Sequence, residues 1–200
     1  MSEATLAALI SHLADNSFDH GEEADASVLI LMTRESDPRM IFTLRAAHLN
    51  SHAGEVSFPG GKRDPEDASV LATALRETQE EIGVDPDCVE IIGAARERRS
   101  KWGLLVQPYV GLIPADTTFV ANPDELDEVF AVPMSFLLDP ANLQMTPFEL
   151  EGEQFEMPWY GWEGKTIWGL TAGIMLGLLH DVFDFDIDMS RWPGGHGGAT

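Results

Sequence analysis

Apolar residues recur along the chain with two different spacings. Ala26–Met32 and Met40–Leu44 are near-continuous runs rich in Val, Ile, Leu and Phe, with Asp37-Pro38 between them. Such runs predict strands, and the Asp-Pro pair predicts the turn that joins them. Val56–Phe58 reads as a third, short strand that Gly60 and Gly61 bring to an end. Beyond a polar turn at 62–67 the spacing changes. Val70, Leu71, Ala74, Leu75, Thr78 and Ile82 fall on one stripe of a helix over Asp67–Ile82, and Gly83 is placed to stop it. Val89–Ala95 and Leu104–Ile113 are further strands, the second with Pro108 inside it, which predicts an edge position or a distortion. Asp124–Phe130 enters another strand, and Pro133–Leu138 is a short helix. Residues 146–168 form a hairpin-like excursion, and Leu170–Val182 is a closing apolar helix. Thr5–Leu13 reads as a short leading helix, 16–25 as a solvated linker and 193–200 as a frayed glycine-rich tail. Strands alternating with two main helices predict an α+β fold of the α/β/α sandwich type. The expected organisation is an extension over 1–25, one domain over 26–190 and a tail over 191–200.

Composition narrows the possible partners. Two hundred residues, 44% of them hydrophobic, can fill one domain's core. The net charge of -22, from 34 acidic and 12 basic residues, argues against nucleic-acid binding, which needs a basic face. Cys88 is the single cysteine, so no internal disulfide forms. There is no signal-peptide pattern and no apolar run of membrane-spanning length. The expectation is a cytoplasmic protein without a membrane partner. Its oligomeric state stays open, with a homodimer among the alternatives.

The candidate chemistry lies on the central helix. Glu77, Glu80 and Glu81 stand at i, i+3 and i+4, which stacks three like charges on one face. No lysine lies four residues away to relieve them, and Arg76 is the adjacent cation. A solvated acidic surface would account for the glutamates alone. Following a double glycine, and opposite a buried stripe, they also suit a hard divalent cation, which accepts carboxylate oxygens and removes the repulsion.

Gly60–Val84, GGKRDPEDASVLATALRETQEEIGV, resembles the Nudix box, and Arg76–Val84 matches the core of that motif throughout. The glycine-to-arginine spacing is one residue longer than the general motif, and Asp67 stands near the place of a usual glutamate. Both departures, with Asp64-Pro65 and Asp67, resemble the coenzyme A pyrophosphatase branch. Leu31–Arg34, Arg45 and His52–Gly61 resemble that branch's upstream signature, with Ala47–Ser51 as extra length. Pro123–Phe130, Val132-Pro133 and Ile167–Ala172 extend the resemblance over about residues 26–182.

The resemblance implies a mixed sheet between helices and hydrolysis of a diphosphate. Glu77, Glu80 and Glu81 would hold Mg²⁺ or Mn²⁺, with the Gly60 carbonyl as a further ligand, and Arg76 would orient the carboxylates. The general base is left between Glu77, Glu125 and Glu128, and the last two could instead bind an extra metal. Arg34, Arg45 and His52 would meet substrate phosphates. Arg98 and Arg99, within the basic stretch Arg96–Lys101, would anchor a polyanion such as the 3'-phosphate of coenzyme A. The implied substrate is coenzyme A or an acyl-coenzyme A, cleaved to 3',5'-ADP and 4'-phosphopantetheine or its acyl form. The alternatives are a broader pyrophosphatase for ADP-ribose or dinucleotides, and a catalytically silent nucleotide-binding module.

Overall fold

A computed structural model describes residues 3–15, 23–150 and 152–187. Most of the expected linker, and the tail, lie outside the described residues. The elements run α1 (Glu3–Asp15), β1 (Ala26–Arg34), β2 (Arg39–Arg45), β3 (Val56–Ser57), β4 (Gly60–Lys62), α2 (Val70–Ile82), β5 (Glu90–Ala94), β6 (Arg98–Arg99), β7 (Leu105–Pro114), β8 (Leu126–Pro133), α3 (Met134–Leu137), β9 (Leu143–Leu150), β10 (Glu153–Trp162), β11 (Lys165–Ile167) and α4 (Gly169–Phe183).

β1 is central, parallel to β7 along its whole length and antiparallel to β2 and β4 on the other side. β3 and β8 pair with β2, while β5 and β6 pair with β7. The near-continuous apolar runs follow from this position. Leu29, Leu31 and Ile41 pack with Val70, Ala74 and Ile82 of α2. Ile30, Met32 and Phe42 pack on the other face with Leu9 and Leu13 of α1 and Met175 and Leu179 of α4. A strand covered on both faces needs no polar alternation. The result is an α+β fold in which helices flank a mixed sheet, an α/β/α sandwich.

Two local expectations are corrected, and for Pro108 the distortion is found rather than the edge. Gly60 and Gly61 do not end a strand in a turn: with Lys62 they form β4, lying opposite Val28, Ser27 and Ala26. α2 starts at Val70, not Asp67, because the Ser69 side chain caps it by accepting the Ala72 N–H. Gly83 ends it in the left-handed region as expected, donating to the Gln79 carbonyl. Pro108 is not on an edge, since β7 runs between β1 and the β5–β6 pair. Its missing N–H is tolerated because the partner strand is interrupted between Ala94 and Arg98, while its carbonyl accepts from Ala95 N–H and Gln107 Nε2. The excursion at 146–168 is a separate three-stranded antiparallel sheet, β9–β10–β11.

Candidate active site

β4 lies alongside β1, antiparallel to it, next to the second half of α2, and its glycines let backbone and carboxylates meet. A Cβ on Gly61 would overlap the Glu77 carboxylate. Gly60, at φ 148°, donates its N–H to Glu81 Oε2 at 3.1 Å. Gly60 thus meets the glutamates through its amide N–H. Glu81 itself is buried, at 2% exposure, so the acidic row is not a uniformly solvated face.

Arg76 resolves much of the crowding on α2. Its Nε and Nη2 clamp Asp67 at 2.9 and 3.0 Å. Nη1 donates to Glu77 at 3.1 Å and to Glu80 at 3.0 Å. The Arg76 guanidinium holds the Asp67 carboxyl well below its usual range, and Asp67 in turn pushes the arginine's pKa up. Asp67 is a site residue that the sequence alone missed as a partner: a nine-residue separation carries no helical or turn signal. We expect Arg76→Ala to lower stability by about 2 kcal/mol, because it strands a largely buried Asp67 carboxylate. Urea unfolding at neutral pH measures this, and an unchanged midpoint would remove the arginine from the framework.

The loop before β8 completes the cleft. Asn122 N–H donates to the Glu81 carbonyl at 2.8 Å and Val120 N–H to the Ile82 carbonyl at 2.9 Å, tying the loop to the end of α2. Glu125 is held there by Asn122 Nδ2 at 3.2 Å, and its carbonyl accepts from Ala46 N–H at 2.8 Å. Burial raises the Glu77 pKa against the pull of Arg76, with Glu80 and Glu125 adding repulsion. Burial pushes Glu81 up to about 7, aided by Glu125 and Glu77 and opposed by the Gly60 N–H and by Arg45. Arg45 stands at the end of β2, its Nη1 4.0 Å from Glu81 Oε1, with a buried Nε that has no hydrogen-bond partner.

Other candidates fall elsewhere. A register shift in the β2–β8 pairing puts Arg45 opposite Leu126 but Leu44 opposite Glu128. Leu126 therefore packs toward α2, while Glu128 pairs with Lys165 Nζ of β11 at 3.0 Å. Of Glu125, in the loop, and Glu128, in β8, Glu125 is the one that faces the α2 glutamates. Arg34 bonds Glu90 and lies six residues along β1 from Val28, the partner of Gly60, or about 20 Å away. His52 is in the loop over Arg45, with Nδ1 on Glu55 Oε2 at 2.7 Å. Arg98 is buried against Gly177 of α4, where any side chain at 177 would strike the guanidinium. Burial lowers its pKa. Arg99 donates to the Gly103 carbonyl at 3.2 Å.

Among the described residues, no three acidic, histidine or cysteine side chains converge in a ready metal-holding set. The donor chemistry nevertheless fits a hard cation. Glu77 is repelled by Glu80 and Glu125, and Glu81 by Glu125 and Glu77; Arg76 and Arg45 are the cations that face them among the described residues, and all four acids offer oxygen.

The NUDIX domain family matches residues 24–150. The chain belongs to the Nudix family, and so to the pyrophosphohydrolases that act on acid anhydrides; proteins of this family typically use a divalent metal. It is 40% identical over 158 residues to the Nudix hydrolase NudL of Escherichia coli, covering 78% of this chain and 82% of that protein. It is 38% identical over 157 residues to NudL of Photorhabdus laumondii, covering 78% and 84%. Among solved structures it is similar to a MutT/nudix family protein from Enterococcus faecalis, with a TM-score of 0.53, 18% identity and coverage of 85% of this chain and 66% of that one. That last likeness speaks to the fold. Among the described residues no helix is long and apolar enough to cross a membrane.

Proposed function

We propose that the protein hydrolyses the diphosphate linkage of nucleoside diphosphate derivatives, such as ADP-ribose or dinucleotides, in the cleft lined by Glu77, Glu80, Glu81 and Glu125. The observation that supports this reading is the surplus of oxygen donors around the Gly60–Gly61 backbone over the cations that face them among the described residues. Bound there by Glu77, Glu80 and Glu81, Mg²⁺ or Mn²⁺ would polarise phosphate oxygens and offset their charge. Arg45, whose buried Nε has no hydrogen-bond partner, would meet a phosphate oxygen as charge builds on it. Water attacks phosphorus, the bridging P–O bond breaks, and a carboxylate takes the water proton. Glu125, tethered by Asn122 and not clamped by Arg76, is the stronger candidate for that base; Glu77 is the other.

The narrower reading is coenzyme A or acyl-coenzyme A as substrate. His52–Gly61 and Asp64-Pro65 support it through the sequence motif. Arg34 and Arg98, distant from the glutamates, lend it no support, so the broader reading leads. The test is purified protein with Mg²⁺ or Mn²⁺ against ADP-ribose, a dinucleoside polyphosphate, coenzyme A and dephospho-coenzyme A, with product analysis. Cleavage of at least one diphosphate is expected, and none with either metal would overturn the proposal. Equal kcat/KM for coenzyme A and its dephospho form would remove a 3'-phosphate subsite.

A further inference from the structure

We infer that the tip of the β6–β7 hairpin is a subsite for the nucleoside end of the substrate, with Trp102 as stacking platform and Lys101 and Arg99 as phosphate contacts. The inference rests on the hydrolase reading above for the identity of the ligand, but its evidence is separate. Among the described residues, most cations are paired with an acid, whereas Lys101 and Arg99 are two neighbours that are not; Lys62 and the buried Arg98 also lack an ion pair, but they do not lie together on an open tip. Arg34, Arg39, Arg45, Arg76, Arg96 and Lys165 each face a carboxylate. Arg99 instead meets only a backbone carbonyl, and Lys101 only the face of Trp102, 5.2 Å from the ring centroid. In a chain with 34 acidic residues, two neighbouring cations that face no carboxylate among the described residues suit an external anion.

Trp102 is 72% exposed, the largest apolar side chain left so open among the described residues. The turn that carries it is tightly bonded. Ser100 N–H donates to Leu104 O at 2.8 Å and Gly103 N–H to Ser100 O at 2.9 Å. Ser100 Oγ accepts from Trp102 N–H and Leu104 N–H, and Gly103 supplies the left-handed residue at φ 82°. The indole is thus presented on a bonded tip, with a cation on it, which suits a flat ring bearing phosphate.

Register links this tip to the acidic cleft. Lys62 lies opposite Ala26, Ala26 opposite Val106 and Val106 opposite Arg98. Three strand spacings, about 14 Å, therefore separate β4 from β6. In the next row Arg63 N–H donates to Asp25 O, Asp25 N–H to Leu105 O, and Arg99 lies opposite Leu105. Leu105 packs toward α2, so Arg99 shares the sheet face that carries the glutamates, whereas Arg98 goes beneath α4. The buried Arg98 props the hairpin from behind, and Arg99, Lys101 and Trp102 form its open side.

The test is binding of adenosine 5'-monophosphate, followed by calorimetry at low and high salt, to wild-type protein, W102A and K101E. The exposed tip tolerates both changes. W102A should weaken binding roughly tenfold, the usual loss for one stacked base. K101E should weaken it and flatten its salt dependence. Inorganic pyrophosphate, which has no ring, should bind wild type and W102A alike. For a dinucleotide substrate, KM should rise more in W102A than kcat falls. Equal affinity of all three proteins for the monophosphate, or no binding by wild type, overturns the subsite. If wild type cleaves no nucleoside diphosphate derivative while W102A still loses monophosphate binding, the hydrolase reading falls and the subsite stands.

Discussion

Glu81→Gln should lower kcat/KM by roughly 10²–10³-fold and, at the same time, make the metal-free protein more stable at pH 8. The activity loss follows if Glu81 contributes one charged oxygen to a cation that supplies several kcal/mol of transition-state stabilisation, at 1.36 kcal/mol per decade. The gain in stability follows from burial. Glu81 is almost fully enclosed and its carboxyl is pushed up to about 7 from 4.5. An acid whose folded-state pKa exceeds its unfolded value favours the fold in its neutral form. Its contribution is fully present below pH 4.5 and is lost as pH rises through about 7. At pH 8 wild type therefore carries a burden of about 3 kcal/mol that the neutral glutamine lacks. In a chain of this length that is roughly 10 °C in melting temperature. The difference should shrink toward pH 4.5 and should close when Mg²⁺ or Mn²⁺ stabilises wild type. Thermal melts across pH, with and without metal, read all of this. Full activity in the variant would take Glu81 out of the site, and parallel pH profiles would refute its buried charge.

That same residue marks where the sequence stopped being informative. The α2 stripe, its Gly83 cap and the two runs at 26–32 and 40–44 were legible because each is a local periodicity with one solution. The position of Glu81 was not, since helical spacing places it beside Glu77 without saying that β4 and the 119–125 loop close over it. Glu125 and Glu128 look equivalent in sequence. One irregularity in the β2–β8 pairing sends their neighbourhoods to opposite faces of the sheet. Arg34 lies apart from the glutamates for a different reason: a strand extends about 3.3 Å per residue, so a motif that is compact in sequence can span the whole sheet. Arg98 and Arg99 are consecutive, and the period of two in a strand parts them. The Nudix box thus lined up the α2 carboxylates in sequence, while which outlying cations lie near them depended on register.

The two glycines should fail in different ways when each is replaced by alanine. Gly60→Ala is expected to destabilise the fold by about 3 kcal/mol or more. Its φ of 148° disfavours any L side chain, and the added methyl would overlap Ser27 O and Val28 Cα, both backbone atoms of the central strand that cannot step aside. Gly61→Ala meets something softer: the methyl would overlap the Glu77 carboxylate, the far end of a flexible side chain. That protein should melt within a few degrees of wild type, yet lose roughly 10²-fold or more in kcat/KM as Glu77 is turned out of the cleft. Glu77→Gln should cause a loss of similar size, and the double variant should be scarcely worse than either single one, because both act through the same carboxylate. Additive losses in the double variant would show that the methyl acts by another route, and wild-type turnover in Gly61→Ala would make the close approach of β4 to Glu77 incidental to catalysis.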